Sequence, residues 1–234
     1  MALPILNSAK YTTTIPSLGK DVEYRPYLVK EEKILMIALE SKDQKQIFRA
    51  LKDVIKNCVY DDIDVDRLAV FDLETLFLVL RGKSVGESTK IKGRCDKCDS
   101  ENEQVIVFED IKAPVVNDKT NTIELTNEVG IILRYPSVSM VEKQNSKGND
   151  IDKVMDMIIS CVESIYDADN VYSAKDSNEK ELKAFVDSLN SEQFKKITTF
   201  FETMPALTYD LEFTCNSCGH ENKIELRGFD SFFG

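Results

Sequence analysis

Four cysteines in two matched pairs carry the chemistry this sequence offers. Cys95-Asp-Lys-Cys98 continues into Ser100-Glu101-Asn102, and Cys215-Asn-Ser-Cys218 continues into His220-Glu221-Asn222, so the pattern C-x-x-C-x-x-E-N occurs twice. A C-x-x-C turn at a hairpin tip places two thiolates close enough to share one ion, and two such tips complete a tetrahedral four-cysteine shell. A closed shell of thiolates leaves no position for water or substrate, so the site expected at Cys95, Cys98, Cys215 and Cys218 is structural, with one Zn2+ per chain. The alternatives for the same residues are two redox pairs or two disulfides. A redox C-x-x-C of the thioredoxin kind sits between a strand and a helix, whereas strand-like residues flank both pairs here. Thr89–Arg94 and Thr208–Thr214 lead in, and Gln104–Phe108 and Lys223–Leu226 lead out. Between the inner cysteines, Cys98 and Cys215, lie 116 residues. The entropy of closing such a loop grows only slowly with its length, and metal affinity that forms part of the folding free energy can offset it.

No other constellation competes. Cys58 and Cys161 fall on or beside apolar helical stripes and read as small core residues. The only histidine, His220, lies inside the second knuckle, so no Ser–His or Cys–His pair can form without it; no enzymatic activity is expected. Asp62, Asp64 and Asp66 begin like an EF-hand loop, but Arg67 stands where glycine is required and Leu73 where the bidentate glutamate belongs. Gly82-Lys83-Ser84 resembles the end of a phosphate-binding loop, yet its leading glycine would be Phe77 and it closes a helix rather than opening one.

Composition narrows the classes further. The chain has 234 residues, 42% of them hydrophobic and 30% charged, with a net charge of −11. That charge opposes sequence-independent nucleic-acid binding, which needs clustered Lys and Arg to displace counterions, and it opposes binding to anionic membranes. No apolar run approaches a membrane span. The first residues lack the basic segment and apolar core of a signal peptide. Synthesis in a reducing cytoplasm is expected, where thiols favour metal over disulfides.

The elements that must position the cysteines read as α+β: helical segments flanking a β region that carries a four-cysteine zinc ribbon built from two C-x-x-C hairpins. Residues 1–28 supply a β-hairpin, Tyr11–Ile15 and Asp21–Arg25 around the turn Pro16–Gly19, expected to pack on the body. Residues 29–86 are helical: Lys30–Leu39, a second helix from Asp43, and a strongly apolar third from Asp72, with Asp72 as its N-cap. Residues 87–136 hold the first knuckle and two further strands, Asn121–Thr126 and Val129–Tyr135. Residues 137–205 are helical again: Val138–Asn145, a loop over 146–150, a stripe from Ile151 through Val162 to Ile165, an exposed excursion over 166–178, and helices from Glu179 and Ser191. Residues 206–234 hold the second knuckle and an apolar tail with Phe229, Phe232 and Phe233, which must dock on its own core or on another subunit. These five stretches are expected to form one compact unit.

Several phrases of the chain resemble a known family. They are Arg25-Pro-Tyr-Leu-Val-Lys-Glu-Glu-Lys33 with Met36 and Ala38, the run Asp72-Leu-Glu-Thr-Leu-Phe77 into Leu80-Arg-Gly-Lys-Ser-Val-Gly-Glu87, and the strand entering a C-x-x-C. Together they are similar to the baseplate hub proteins of T-even-like tailed bacteriophages, over residues 20–220. The resemblance implies a structural component of the central hub of the contractile-tail baseplate. Its partners would be other hub, tail-tube or tape-measure proteins, a homo-oligomer being compatible, with no nucleic acid and no membrane. Its location would be the virion tail after synthesis in the host cytoplasm. A hub assembly chaperone absent from the mature virion is the alternative within the family, and a nucleic-acid-binding zinc ribbon the alternative outside it.

Overall fold

The computed structural model describes residues 7–116, 121–143, 150–228 and 230–233. The chain divides into two units, one of residues 1–115 and 206–234 and one of residues 116–205. The N-terminal and C-terminal segments thus belong to the same unit, which brings the two cysteine pairs into one body.

The first unit opens with the hairpin β1 (Tyr11–Ile15) and β2 (Lys20–Tyr24), paired antiparallel. Ile15, Val22 and Tyr24 point inward and are buried, so this hairpin packs on the body as expected. Three helices follow: α1 (Val29–Ser41), α2 (Gln44–Cys58) and α3 (Val70–Ser84), with α1 packed on α2, α2 on α3, and α3 on β1. Asp43 caps α2 by accepting the Lys45 N–H. Asp72 is not an N-cap: α3 starts two residues earlier, and the buried Asp72 carboxylate reaches back to the Ala69 N–H while also taking the N–H and hydroxyl of Ser17 in the hairpin turn. Because the carboxylate is fixed by a tertiary contact to a distant turn, the helix start was not legible from local spacing.

The cysteine hairpins follow. One is β3 (Ser88–Arg94) with β4 (Glu101–Val107), the other β9 (Thr208–Thr214) with β10 (Glu221–Arg227), each antiparallel over seven residue pairs. Their inner faces share a core with helix α3: Leu78, Ile106, Phe108, Ile111, Leu207, Leu211, Phe213 and Phe232. The short terminal helix α8 (Asp230–Phe233) contacts β3 and β10, and Phe232 is buried at 2% exposure. At Phe232 the apolar tail thus docks on its own chain; Phe229 lies outside the described residues.

The second unit is a four-stranded antiparallel sheet in the order β5 (Thr122–Glu124), β6 (Gly130–Leu133), β7 (Val162–Tyr166), β8 (Val171–Ser173). With it come the helices α4 (Val138–Lys143), α5 (Asp150–Cys161), α6 (Glu179–Asp187) and α7 (Ser191–Glu202). Its core is built from Leu125, Ile131, Leu133, Ile158, Ile159, Val162, Leu182, Val186, Ile197 and Phe200. Asn178 and Asn190 cap α6 and α7 through capping boxes with Glu181 and Gln193. Two expectations are corrected here. Val162 and Ile165 do not extend the α5 stripe; they lie in β7, where Val162 pairs with Leu133 and Ile165 with Ile131. The excursion over 166–178 returns as β8, pairing with β7 through Val171–Ser173. The apolar residues at 158, 162 and 165 suit a helix, but the β-rich tract Val-Glu-Ser-Ile-Tyr suits a strand equally, and pairing with β6 decides. Of the loop expected over 146–150, residue 150 opens α5 instead, while residues 146–149 and the helix end expected at 144–145 lie outside the described residues.

Candidate metal centre and family

Each hairpin ends in a tight knuckle of the same construction. In the first, the Cys95 N–H donates to the Ser100 carbonyl (3.0 Å) and the Asp99 N–H to the Cys95 carbonyl (2.9 Å). In the second, the Cys215 N–H donates to the His220 carbonyl (2.8 Å) and the Gly219 N–H to the Cys215 carbonyl (2.9 Å). Both turns need a left-handed residue at the same place, Asp99 with φ 58° and Gly219 with φ 69°. This backbone aims two sulfurs from each knuckle at the other.

The four Sγ atoms lie within 4.8 Å of one another. Cys95 Sγ is 3.7 Å from Cys218 Sγ, and Cys98 Sγ is 3.6 Å from Cys215 Sγ. A disulfide would need about 2.05 Å. A tetrahedral centre with metal–sulfur bonds of about 2.3 Å has edges of about 3.8 Å, so the cross-knuckle spacings fit a metal. Cys95 and Cys215 are buried, Cys98 and Cys218 exposed, giving one inner and one outer thiol from each knuckle.

The electrostatics point the same way. The Ser100 hydroxyl sits 3.0 Å from Cys215 Sγ and 3.1 Å from Cys98 Sγ. It pulls the Cys215 thiol down to about 5, helped by the N–H groups of Cys218 and Ser217 and by the Asn102 amide, against desolvation. At Cys218 the His220 N–H favours the thiolate, but the Cys98 sulfur, desolvation and the Cys95 and Cys215 sulfurs together outweigh it and push the thiol up to about 12. Sulfurs this close resist complete deprotonation until a cation joins them, which is what a divalent metal supplies.

The four residues expected to converge do so. Cys58 and Cys161 are buried elsewhere, and desolvation raises their thiols to about 11 and about 12, leaving them inert core residues. The acidic turn is occupied by protein donors: Asp61 accepts the Glu23 N–H, Asp64 the Asp66 N–H, and Asp66 pairs with Lys52 and Lys56. Sequence reasoning missed the role of the asparagines that close each repeat. Asn102 and Asn222 are 2% and 4% exposed, and their recurrence at one position of the repeat was the available signal.

A family model described as T4 bacteriophage base plate protein matches residues 8–234. The chain belongs to that family. A search of curated proteins and a search of solved structures each match nothing. Membership makes this a phage base plate protein with a structural role in the baseplate, contacts with other phage tail or baseplate proteins, and a place in the virion tail. It bears out the resemblance read from Arg25–Lys33 and Asp72–Glu87 at the level of the T4-like base plate family, with which a hub subunit is compatible. Among the described residues, no helix is long and apolar enough to cross a membrane.

Proposed function

We propose that this base plate protein is a structural component of the central hub of the contractile tail, acting through protein–protein contacts. One structural Zn2+, held by Cys95, Cys98, Cys215 and Cys218, locks its two hairpins. The family match over nearly the whole chain carries the reading. Two features support it. The thiolate set closes around a metal and leaves no position for substrate. Helix α1 carries the apolar run Ile34–Leu39 and keeps Met36, Ile37 and Leu39 of it exposed, together with Val29, and an apolar helix face left in water is what an assembling subunit presents to neighbours. Zinc is favoured over other divalent ions because four thiolates in a tetrahedron match its preferred ligands and geometry.

Mass spectrometry of purified virions, with metal analysis of the isolated protein, tests both halves. The protein should appear in the virion at a fixed ratio to other hub proteins, with close to one zinc per chain. Its absence from virions but presence in assembly intermediates would make it an assembly chaperone. Four freely alkylated thiols in folded, metal-free protein would remove the zinc.

A further inference from the structure

The two buried asparagines bond across the knuckles, not only within them. Asn102, from the first hairpin, accepts the Asn216 N–H of the second knuckle at 2.8 Å and donates to the Ser100 carbonyl of its own at 3.0 Å. Asn222, from the second hairpin, accepts the Asp96 N–H of the first knuckle at 3.0 Å and donates to the His220 carbonyl of its own at 2.9 Å. The arrangement is reciprocal, each hairpin giving one asparagine and receiving one. Asp96 and Asn216 directly follow the buried cysteines Cys95 and Cys215, so each crossing bond fixes the backbone beside an inner ligand.

We propose that Asn102 and Asn222 are positioning residues of the metal centre, a reciprocal clamp that sets the two knuckles at tetrahedral spacing before metal enters. This rests on the zinc reading above. Only an amide side chain meets the requirement. An apolar residue would leave a backbone N–H without its acceptor next to each inner cysteine, and a carboxylate would add negative charge beside thiolates and lose the donor to the knuckle carbonyl. Asn102 also brings its amide nitrogen within 3.7 Å of Cys215 Sγ, so its donor side favours the thiolate that binds metal. Partners of this kind behind the ligands commonly change metal affinity by about 10–100-fold.

The test measures Zn2+ affinity by chelator competition, and site geometry by the absorption of the Co2+ form, in the full-length protein. Asn102→Ala and Asn222→Ala should each weaken binding by about 10–100-fold and broaden or shift the Co2+ ligand-field bands. Lys223→Ala, which removes an exposed cross-strand pair with Glu212 on the same hairpin, should leave both unchanged. Affinity and bands of the asparagine variants equal to wild type would overturn the clamp while leaving the zinc reading intact; wild-type protein that binds neither metal would overturn the zinc reading itself. Should either variant fail to fold, hydrogen exchange in metal-free wild-type protein decides. The Asp96 and Asn216 amides should be protected, and exchange at the unprotected rate would mean that no clamp exists before metal.

Discussion

The two hairpins are copies in their knuckles and differ at the one position where their cores press together. Both present C-x-x-C-x-x-E-N, the same knuckle hydrogen bonds and a reciprocal asparagine. Two residues before the first cysteine, however, the first hairpin has Gly93 and the second has Phe213. These positions face each other: a Cβ at Gly93 would lie 2.7 Å from Phe213 Cε1 and 3.3 Å from Leu211 Cδ2. Near-equivalent positions that meet cannot both be large, so one carries the ring and the other makes room. The four thiols come from two like halves, whereas at this point of the close-packed core the backbones approach too closely for two large side chains.

The largest effect should come from the shared part. Cys95→Ser and Cys215→Ser each leave three thiolates and give up metal affinity that is also folding free energy. Each should lower stability on the order of 4–5 kcal/mol or more, read as a lower urea midpoint with loss of bound zinc. If the halves are equivalent as ligand donors, the two losses should agree closely. Cys58→Ala and Cys161→Ala should keep the metal, and release of zinc by Cys58→Ala would show the ligand set to be wrong.

The unlike part should give the next effect. Phe213→Ala removes a ring that is 8% exposed in the shared core and should cost about 3–5 kcal/mol. Gly93→Val drives side-chain atoms into that ring and should cost about 1–3 kcal/mol. In the double variant, valine enters the space the ring has left, so the combined loss should be smaller than the sum by about 0.5–3 kcal/mol. Strict additivity in urea titrations would show that the two positions do not interlock.

How much of this was legible follows the same division. The convergence of the four cysteines was readable because a repeat of eight residues signals its own chemistry, and the strands because their approach and exit alternate. The interlock was not readable, since Gly93 and Phe213 are 120 positions apart and nothing in either segment names the other. The same holds for Asp72, whose carboxylate is held by Ser17 across the first unit, and for Val162 and Ile165, where helix and strand patterns coincide until β6 supplies a partner. Local pattern carried the elements and the site. Contacts between distant segments, which no window of sequence contains, decided the helix start, the seventh strand and the packing of the hairpins.

The smallest effect should come from the knuckle turns, where different residues, Asp99 and Gly219, meet the same backbone demand. Asp99 and Gly219 both occupy the left-handed region, which costs an L residue roughly 1–2 kcal/mol, less for Asp or Asn, and glycine nothing. No atom lies within 4 Å of where a Cβ would sit at Gly219, so a substitution there reports the backbone alone. Gly219→Asp should therefore destabilise by about 1 kcal/mol. Asp99→Gly should stabilise by up to about 1 kcal/mol, offset in part by the greater freedom glycine gives the unfolded chain. The lost Arg94–Asp99 pair subtracts little, because both side chains are largely exposed at a separation of 3.5 Å. The two substitutions exchange the same residues at matching positions, so opposite signs are expected in thermal melts of zinc-loaded protein. A loss of stability from Asp99→Gly comparable to that from Gly219→Asp would mean that the Asp99 side chain holds its knuckle in a way the second knuckle does not share, and the likeness of the two turns would be one of backbone trace only.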